Sequence, residues 1–111
     1  MKRILFLLSF ILLFSSCGQY RAYQKVIKST DPDFQYTQAV SYYQNGDYAR
    51  SLQLFENLLG KFQDRQKAES IYYYYIYCNY YMKDYLSAAY HAKNFNSKFI
   101  LSDKNEEIAF L

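Results

Sequence analysis

The sequence predicts an all-α fold built of helical hairpins, and three observations predict it. Turn formers are scarce, with one Pro and three Gly in 111 residues, too few breakers for a many-stranded β fold. Downstream of Asp31 the apolar residues recur at spacings of three and four, the period of a helix with one buried stripe. The tripeptides Gly46-Asp47-Tyr48 and Lys83-Asp84-Tyr85 lie 37 residues apart, and each reads as a helix end followed by a helix start. A hydrophobic content of 51% against 21% charged residues excludes intrinsic disorder.

The first element is a leader. Met1-Lys2-Arg3 is a positive start, and Ile4 to Phe14 is apolar except for Ser9. That run is shorter than the roughly 20 residues a membrane-spanning helix needs, and it has the length of a signal-peptide core. Residues 1–16 are therefore assigned to a signal peptide. The formal charge of +3 includes Lys2 and Arg3, so the remainder is close to neutral and gives nucleic acid no electrostatic reason to bind.

Ser15, Ser16 and Cys17 follow. A cysteine after small residues is more than signal peptidase needs, because its thiolate can be alkylated by a lipid donor. The stretch resembles the lipobox of bacterial lipoproteins, with Phe14 where that pattern usually has Leu. The resemblance implies that Cys17 carries a covalent lipid, palmitate included, and anchors the chain to a membrane; no other cofactor is expected. Cys78 would then be the remaining thiol, so no internal disulfide can form. Neither an Asp after Cys17, a signal for inner-membrane retention, nor an acidic export cluster is present. The implied location is the outer membrane, on its periplasmic face. Residues 17–30 read as the lipidated cysteine and a tether.

The helices are expected between residues 31 and 111. Asp31-Pro32-Asp33 supplies a cap, a preset first helical residue and a charge that suits the helix dipole. A first helix should run from about Pro32 to Asn45 and end at Gly46, which tolerates the left-handed conformation. Asp47 should cap a second, from Tyr48 to about Lys61, with a stripe of Tyr48, Leu52, Phe55, Leu58, Leu59 and Phe62. A third is expected from about Arg65 to Met82, and a fourth from Tyr85 to about Phe99 with Ala88, Ala89, Ala92 and Phe95 inward. Asp103, with Glu106 three residues on, should cap a further start.

These pairs resemble the tetratricopeptide repeat, whose usual period is about 34 residues. The resemblance implies a solenoid of two helix pairs, about 32–62 and 65–99, plus part of a third at 103–111. The second copy departs from the first, with Lys83 for Gly46, Asn79 for Tyr42 and Ala92 for the aromatic Phe55. A solenoid ending inside a pair exposes an apolar edge, expected at Ile108, Ala109, Phe110 and Leu111.

Candidate chemistry is sparse. His91 is the lone histidine, no His, Cys, Asp or Glu have metal-ligand spacing, and no Ser or Cys has a base and orienting acid beside it. No catalytic or metal residues are assigned, and an enzyme is not expected. The informative run is Tyr72 to Tyr85, part of a complement of 15 Tyr. On a helix its rings cover every face. The tetratricopeptide pattern implies that first helices line a concave groove, which places Tyr36, Val40, Tyr43 and Gln44 there from the first pair. From the second pair it places Tyr73, Tyr77, Tyr80 and Tyr81, with Tyr42, Tyr72, Tyr75 and Ile76 inside. Tyr rings offer flat apolar area and a hydroxyl at small entropy loss, which suits an extended peptide.

Two stretches, YQKVIKSTDP over 23–32 and YYYYIYCNYYMKDYLSAAYHAKNF over 72–95, resemble the BamD family of outer-membrane assembly lipoproteins, particularly Bacteroidetes-type versions. The likeness runs from Cys17 to Leu111. It implies a lipid-anchored protein of the β-barrel assembly machinery whose early repeats receive unfolded outer-membrane β-barrel clients. The family's later repeats dock the barrel component of the machinery; about two and a half repeats are present here. The alternative is a periplasmic tetratricopeptide scaffold lipoprotein for envelope or division complexes.

Overall fold

The computed structural model describes residues 2–109 and 111, without the side chains of residues 12–16. The chain divides into two units, residues 1–30 and Asp31–Leu111. The first is one helix, α1 (Lys2–Ile27), which runs through both the leader and most of the stretch read as a tether. The lipobox side chains of Phe14 and Ser16 lie outside the described residues; Cys17 is exposed. Among the described residues no helix is long and apolar enough to cross a membrane.

The second unit is the all-α helical-hairpin repeat: α2 (Pro32–Gln44), α3 (Tyr48–Leu58), α4 (Arg65–Tyr81), α5 (Tyr85–Lys98) and α6 (Asn105–Ala109). Each of the first four starts on an aspartate. The Asp31 carboxylate accepts from the N–H groups of Asp33 and Phe34. Asp47 accepts from Arg50 at 3.4 Å, Asp64 from Gln66 at 3.1 Å and Asp84 from Ser87 at 3.2 Å. Such caps satisfy otherwise orphaned donors and stabilise each helix by about 1 kcal/mol.

The internal repeat holds at the level of single hydrogen bonds. At the first turn the N–H groups of Asn45, Gly46 and Asp47 donate to the carbonyls of Ser41, Tyr43 and Tyr42, at 3.1, 3.1 and 2.9 Å. At the second, Met82, Lys83 and Asp84 donate to Cys78, Tyr80 and Asn79, at 3.0, 3.0 and 2.9 Å. Every donor and acceptor is displaced by the same 37 positions. Gly46 has φ +80° and Lys83 has φ +67°, so the second turn holds a lysine in the left-handed region that favours glycine.

Stacking between pairs repeats too. The Lys67 ammonium lies 5.1 Å from the centre of the Tyr36 ring, and Lys104 lies 5.5 Å from that of Tyr73. Both partners are again 37 apart, which makes α6 the third copy of α2 and α4. Each lysine also meets a carboxylate at the start of the preceding pair, Lys67 with Asp33 at 2.8 Å and Lys104 with Glu69 at 3.5 Å.

The core contains Ala39, Leu54, Phe55, Leu58, Ile71, Ile76 and Cys78, and continues into a cluster of Ile76, Ala92, Phe95, Phe99 and Ile108. Ser51 is buried among apolar groups and is satisfied by donating to the Ala39 carbonyl at 2.9 Å. Its oxygen accepts from the Cys78 thiol at 3.5 Å, so three helices meet at one short polar chain.

Four expectations need correction. The α3 stripe centres on Ser51, Leu54, Phe55 and Leu58; Leu52 and Leu59 sit at its margin, because a spacing of three, one and three follows the 3.6-residue turn more closely. Ala89 is exposed, about 100° round the helix from Ala88. The side chain at the last helix start that accepts a backbone N–H is Ser102, from Lys104 at 3.1 Å, rather than Asp103. Finally, Ile108 is fully buried and Leu111 packs against the same cluster, because one turn of α6 suffices to fold onto α5. Phe110 lies outside the described residues. The large apolar side chains left in solvent near this end are instead Leu86, Tyr90, Ile100 and Leu101.

Candidate functional site: the tyrosine layer on the first helices

The first helices of successive pairs lie side by side, so α2 and α4 touch directly and α4 reaches α6 through hydrogen bonds. Tyrosines on this layer pack ring to ring. Tyr43 meets Tyr74 at 4.9 Å, Tyr48 at 5.4 Å and Tyr81 at 6.3 Å between centroids, all edge-on. Tyr81 stacks on Tyr48 at 4.8 Å. Along α4, Tyr77 touches Tyr73 at 4.8 Å, Tyr81 at 6.0 Å and Tyr80 at 6.4 Å. Edge-on and offset stacks are the favoured aromatic arrangements, each worth about 0.5–1.5 kcal/mol beyond burial.

Of the six tyrosines expected on the groove, Tyr43, Tyr73, Tyr77, Tyr80 and Tyr81 form one connected cluster. Tyr36 stands apart, edge-on to Phe55 at 6.2 Å and Phe62 at 6.4 Å. It joins the others through Phe55, on which Tyr74 stacks at 5.1 Å. Tyr80 and Tyr81 are the exposed members; Tyr36, Tyr43, Tyr73 and Tyr77 are half-buried. Val40 is half-buried and Gln44 exposed. Of the residues expected inside, Tyr75 and Ile76 are buried and Tyr42 and Tyr72 are half-buried.

Sequence reasoning missed three participants. Tyr48 comes from a second helix and reaches the layer because it follows the first turn directly. Tyr74 bridges the layer to the core. Glu107 arrives from α6 and accepts two hydrogen bonds on the same oxygen, from the Tyr73 hydroxyl at 3.0 Å and the Tyr77 hydroxyl at 2.6 Å. Tyr48 carried a signal, its place in the repeated turn; Glu107 carried none, since only the packing of α6 brings it there.

The phenols are held protonated. Burial, with the Tyr81 charge next, raises the Tyr43 pKa well above its ordinary range. Burial raises those of Tyr73 and Tyr77 as well, and the bond to Glu107 adds to it. At neutral pH these hydroxyls are donors, not nucleophiles. Burial pushes the Cys78 thiol up to about 11 despite its bond to Ser51, which leaves it unreactive. Burial lowers the His91 pKa; its ring lies edge-on to Tyr75 at 4.7 Å and Tyr90 at 5.2 Å.

Together, fold and site define a tetratricopeptide-like helical-hairpin protein with an aromatic, hydroxyl-bearing face on its first helices. No protein family, curated protein or solved structure matches the chain.

Proposed function

We propose that the chain is a non-enzymatic, BamD-like assembly lipoprotein, anchored through a lipid on Cys17 to the periplasmic face of the outer membrane. Its tyrosine layer binds unfolded β-barrel clients beside the barrel component of the assembly machinery. The observation that carries this reading is the connected cluster of Tyr43, Tyr73, Tyr77, Tyr80 and Tyr81 ending at Glu107. Rings of this kind give an extended peptide apolar contact along its length, and protonated hydroxyls give it donors. The signal-peptide and lipobox likeness supports the anchor.

The test is client-peptide binding by fluorescence anisotropy. Tyr80→Ala with Tyr81→Ala should weaken an aromatic-ended peptide about tenfold while the helical circular dichroism is kept. Unchanged affinity refutes the assignment of the face. For the anchor, mass spectrometry of membrane-extracted protein should find acyl mass on the Cys17 peptide, and Cys17→Ser should release the protein from membranes.

The scaffold reading keeps one observation of its own: the half-buried rings already pack on one another, as a surface meeting a folded partner would. Crosslinking in membranes separates the two, recovering unfolded barrel proteins in one case and folded envelope or division proteins in the other.

A further inference from the structure

Two large apolar side chains on the outer face of α5 lie in solvent, Leu86 at 88% exposure and Tyr90 at 64%, and two more, Ile100 at 73% and Leu101 at 86%, follow in the turn after the helix. Continuation of the solenoid would not cover them. The repeat register shows why. Displaced by 37 positions, the four correspond to Ala49, Gln53, Gln63 and Asp64 of the first pair, and all of these are exposed although the second pair is already stacked against the first. By contrast Tyr85, also exposed, corresponds to Tyr48, which the second pair does cover through Tyr81. The repeat register therefore separates Tyr85, at a position that the next pair covers in the first copy, from a patch at positions that stay exposed there.

Charge accompanies the patch. From Tyr85 to Ser102 there is no acidic residue, and Lys93, seven residues after Leu86, is exposed on the same side of α5. Lys98 turns instead to α4, where its ammonium donates to the Tyr72 hydroxyl at 3.4 Å and lies 4.6 Å from the centre of that ring. The matching helix α3 has Arg50 and Glu56, with Arg50 already paired to Asp47. Buried side chains Ala88, Ala92 and Phe95 face inward, so the apolar-basic face points away from the tyrosine layer.

We infer that Leu86 and Tyr90, with Ile100 and Leu101 after the helix and Lys93 between them in the chain, form a docking surface for an anionic lipid bilayer. Leucine and isoleucine enter the acyl boundary, the tyrosine sits at headgroup level, and Lys93 meets lipid phosphates. Such a contact is weak alone and suits a chain held near a membrane by other means. It is independent of the peptide-binding reading, because it uses the opposite face.

The chain contains no Trp, so Leu86→Trp creates a single local probe, and Gln53→Trp is its repeat-matched control. With mixed phosphatidylcholine/phosphatidylglycerol vesicles, the emission of Leu86→Trp should shift to shorter wavelength and be quenched by brominated lipid. Both effects should shrink with pure phosphatidylcholine or at high salt. Tyr90→Trp should behave as Leu86→Trp does, and Gln53→Trp should stay unshifted. An unmoved spectrum for both α5 probes overturns the inference. So does an equal shift in Gln53→Trp, which would mean that binding elsewhere drags the whole chain to the vesicle. A shift that grows with protein concentration and needs no vesicles also overturns it, in favour of a second copy on this face.

Discussion

The two complete helix pairs share one backbone plan and distribute their apolar bulk in opposite ways. In the first pair the large buried side chains sit on the second helix, as Leu54, Phe55 and Leu58, while α2 buries only Gln35 and Ala39. In the second pair the bulk moves to the first helix: α4 buries Ile71, Tyr75 and Ile76, and α5 offers Ala88, Ala92 and Phe95. The exchange is visible at matched positions, Ala39 and Phe55 against Ile76 and Ala92. Volume is roughly kept across the exchange, which is what a packed interior tolerates best. The physical reason lies in position. Helix α4 packs against α2, α3 and α5, so more than one of its faces needs apolar cover, and its tyrosines serve both core and surface.

The comparison can be broken most severely in the core. Phe95→Ala should cost about 3–5 kcal/mol, since Phe95 lies in the cluster that joins the second pair to α6. Phe55→Ala should cost a similar amount, and adding Ala39→Ile should recover more than about 1 kcal/mol if the size exchange is transferable. Urea unfolding of the single and double variants measures this. Strict additivity would mean that the two positions do not compensate.

The next effect is a pH dependence. Tyr43, Tyr73, Tyr74, Tyr75 and Tyr77 all have pKa values raised above the ordinary 10.0, chiefly by burial. In the unfolded chain these phenols would lose their protons near 10, while the native state retains them. Stability is therefore full below about pH 10 and falls as pH rises beyond it. Tyrosinate absorbance should show a late, cooperative step that coincides with unfolding. The thiols divide likewise: Cys78 should resist disulfide reagents until the fold opens, and Cys17, where it carries no lipid, should react at once.

The turns separate by smaller amounts. Asp47→Ala and Asp84→Ala should each cost about 1 kcal/mol, equally if the caps are equivalent. Lys83→Gly should stabilise by about 1 kcal/mol through relief of the left-handed backbone, and Gly46→Lys should lose a similar amount. A denaturation midpoint that falls on Lys83→Gly would show that the lysine side chain makes a compensating contact.

Most of the fold was legible because it is written locally. The starts at Pro32, Tyr48, Arg65 and Tyr85 follow from capping chemistry and the 3.6-residue period. The ends differ from expectation by at most three residues, since helix ends fray and Gly60, at φ +78°, stops α3 early. Tyr43 and Tyr81 meet at 6.3 Å because each sits in the last turn of its helix, where the repeated turn fixes the rotation. Leu54 was missed because Leu52 and Leu59 compete for the same stripe, and spacing alone does not say which arc faces the neighbouring helix.

The sequence by itself determined the hairpins, the 37-residue repeat and the excess of tyrosine, because caps, turns and periodicity act within a few residues along the chain. Only the tertiary structure decided which tyrosines touch, that Glu107 holds Tyr73 and Tyr77, and that Ile108 is buried while Leu86 and Leu101 are not. Those outcomes depend on how the two helix pairs and α6 stack, and stacking is set by contacts between residues some 30 apart that no local pattern encodes.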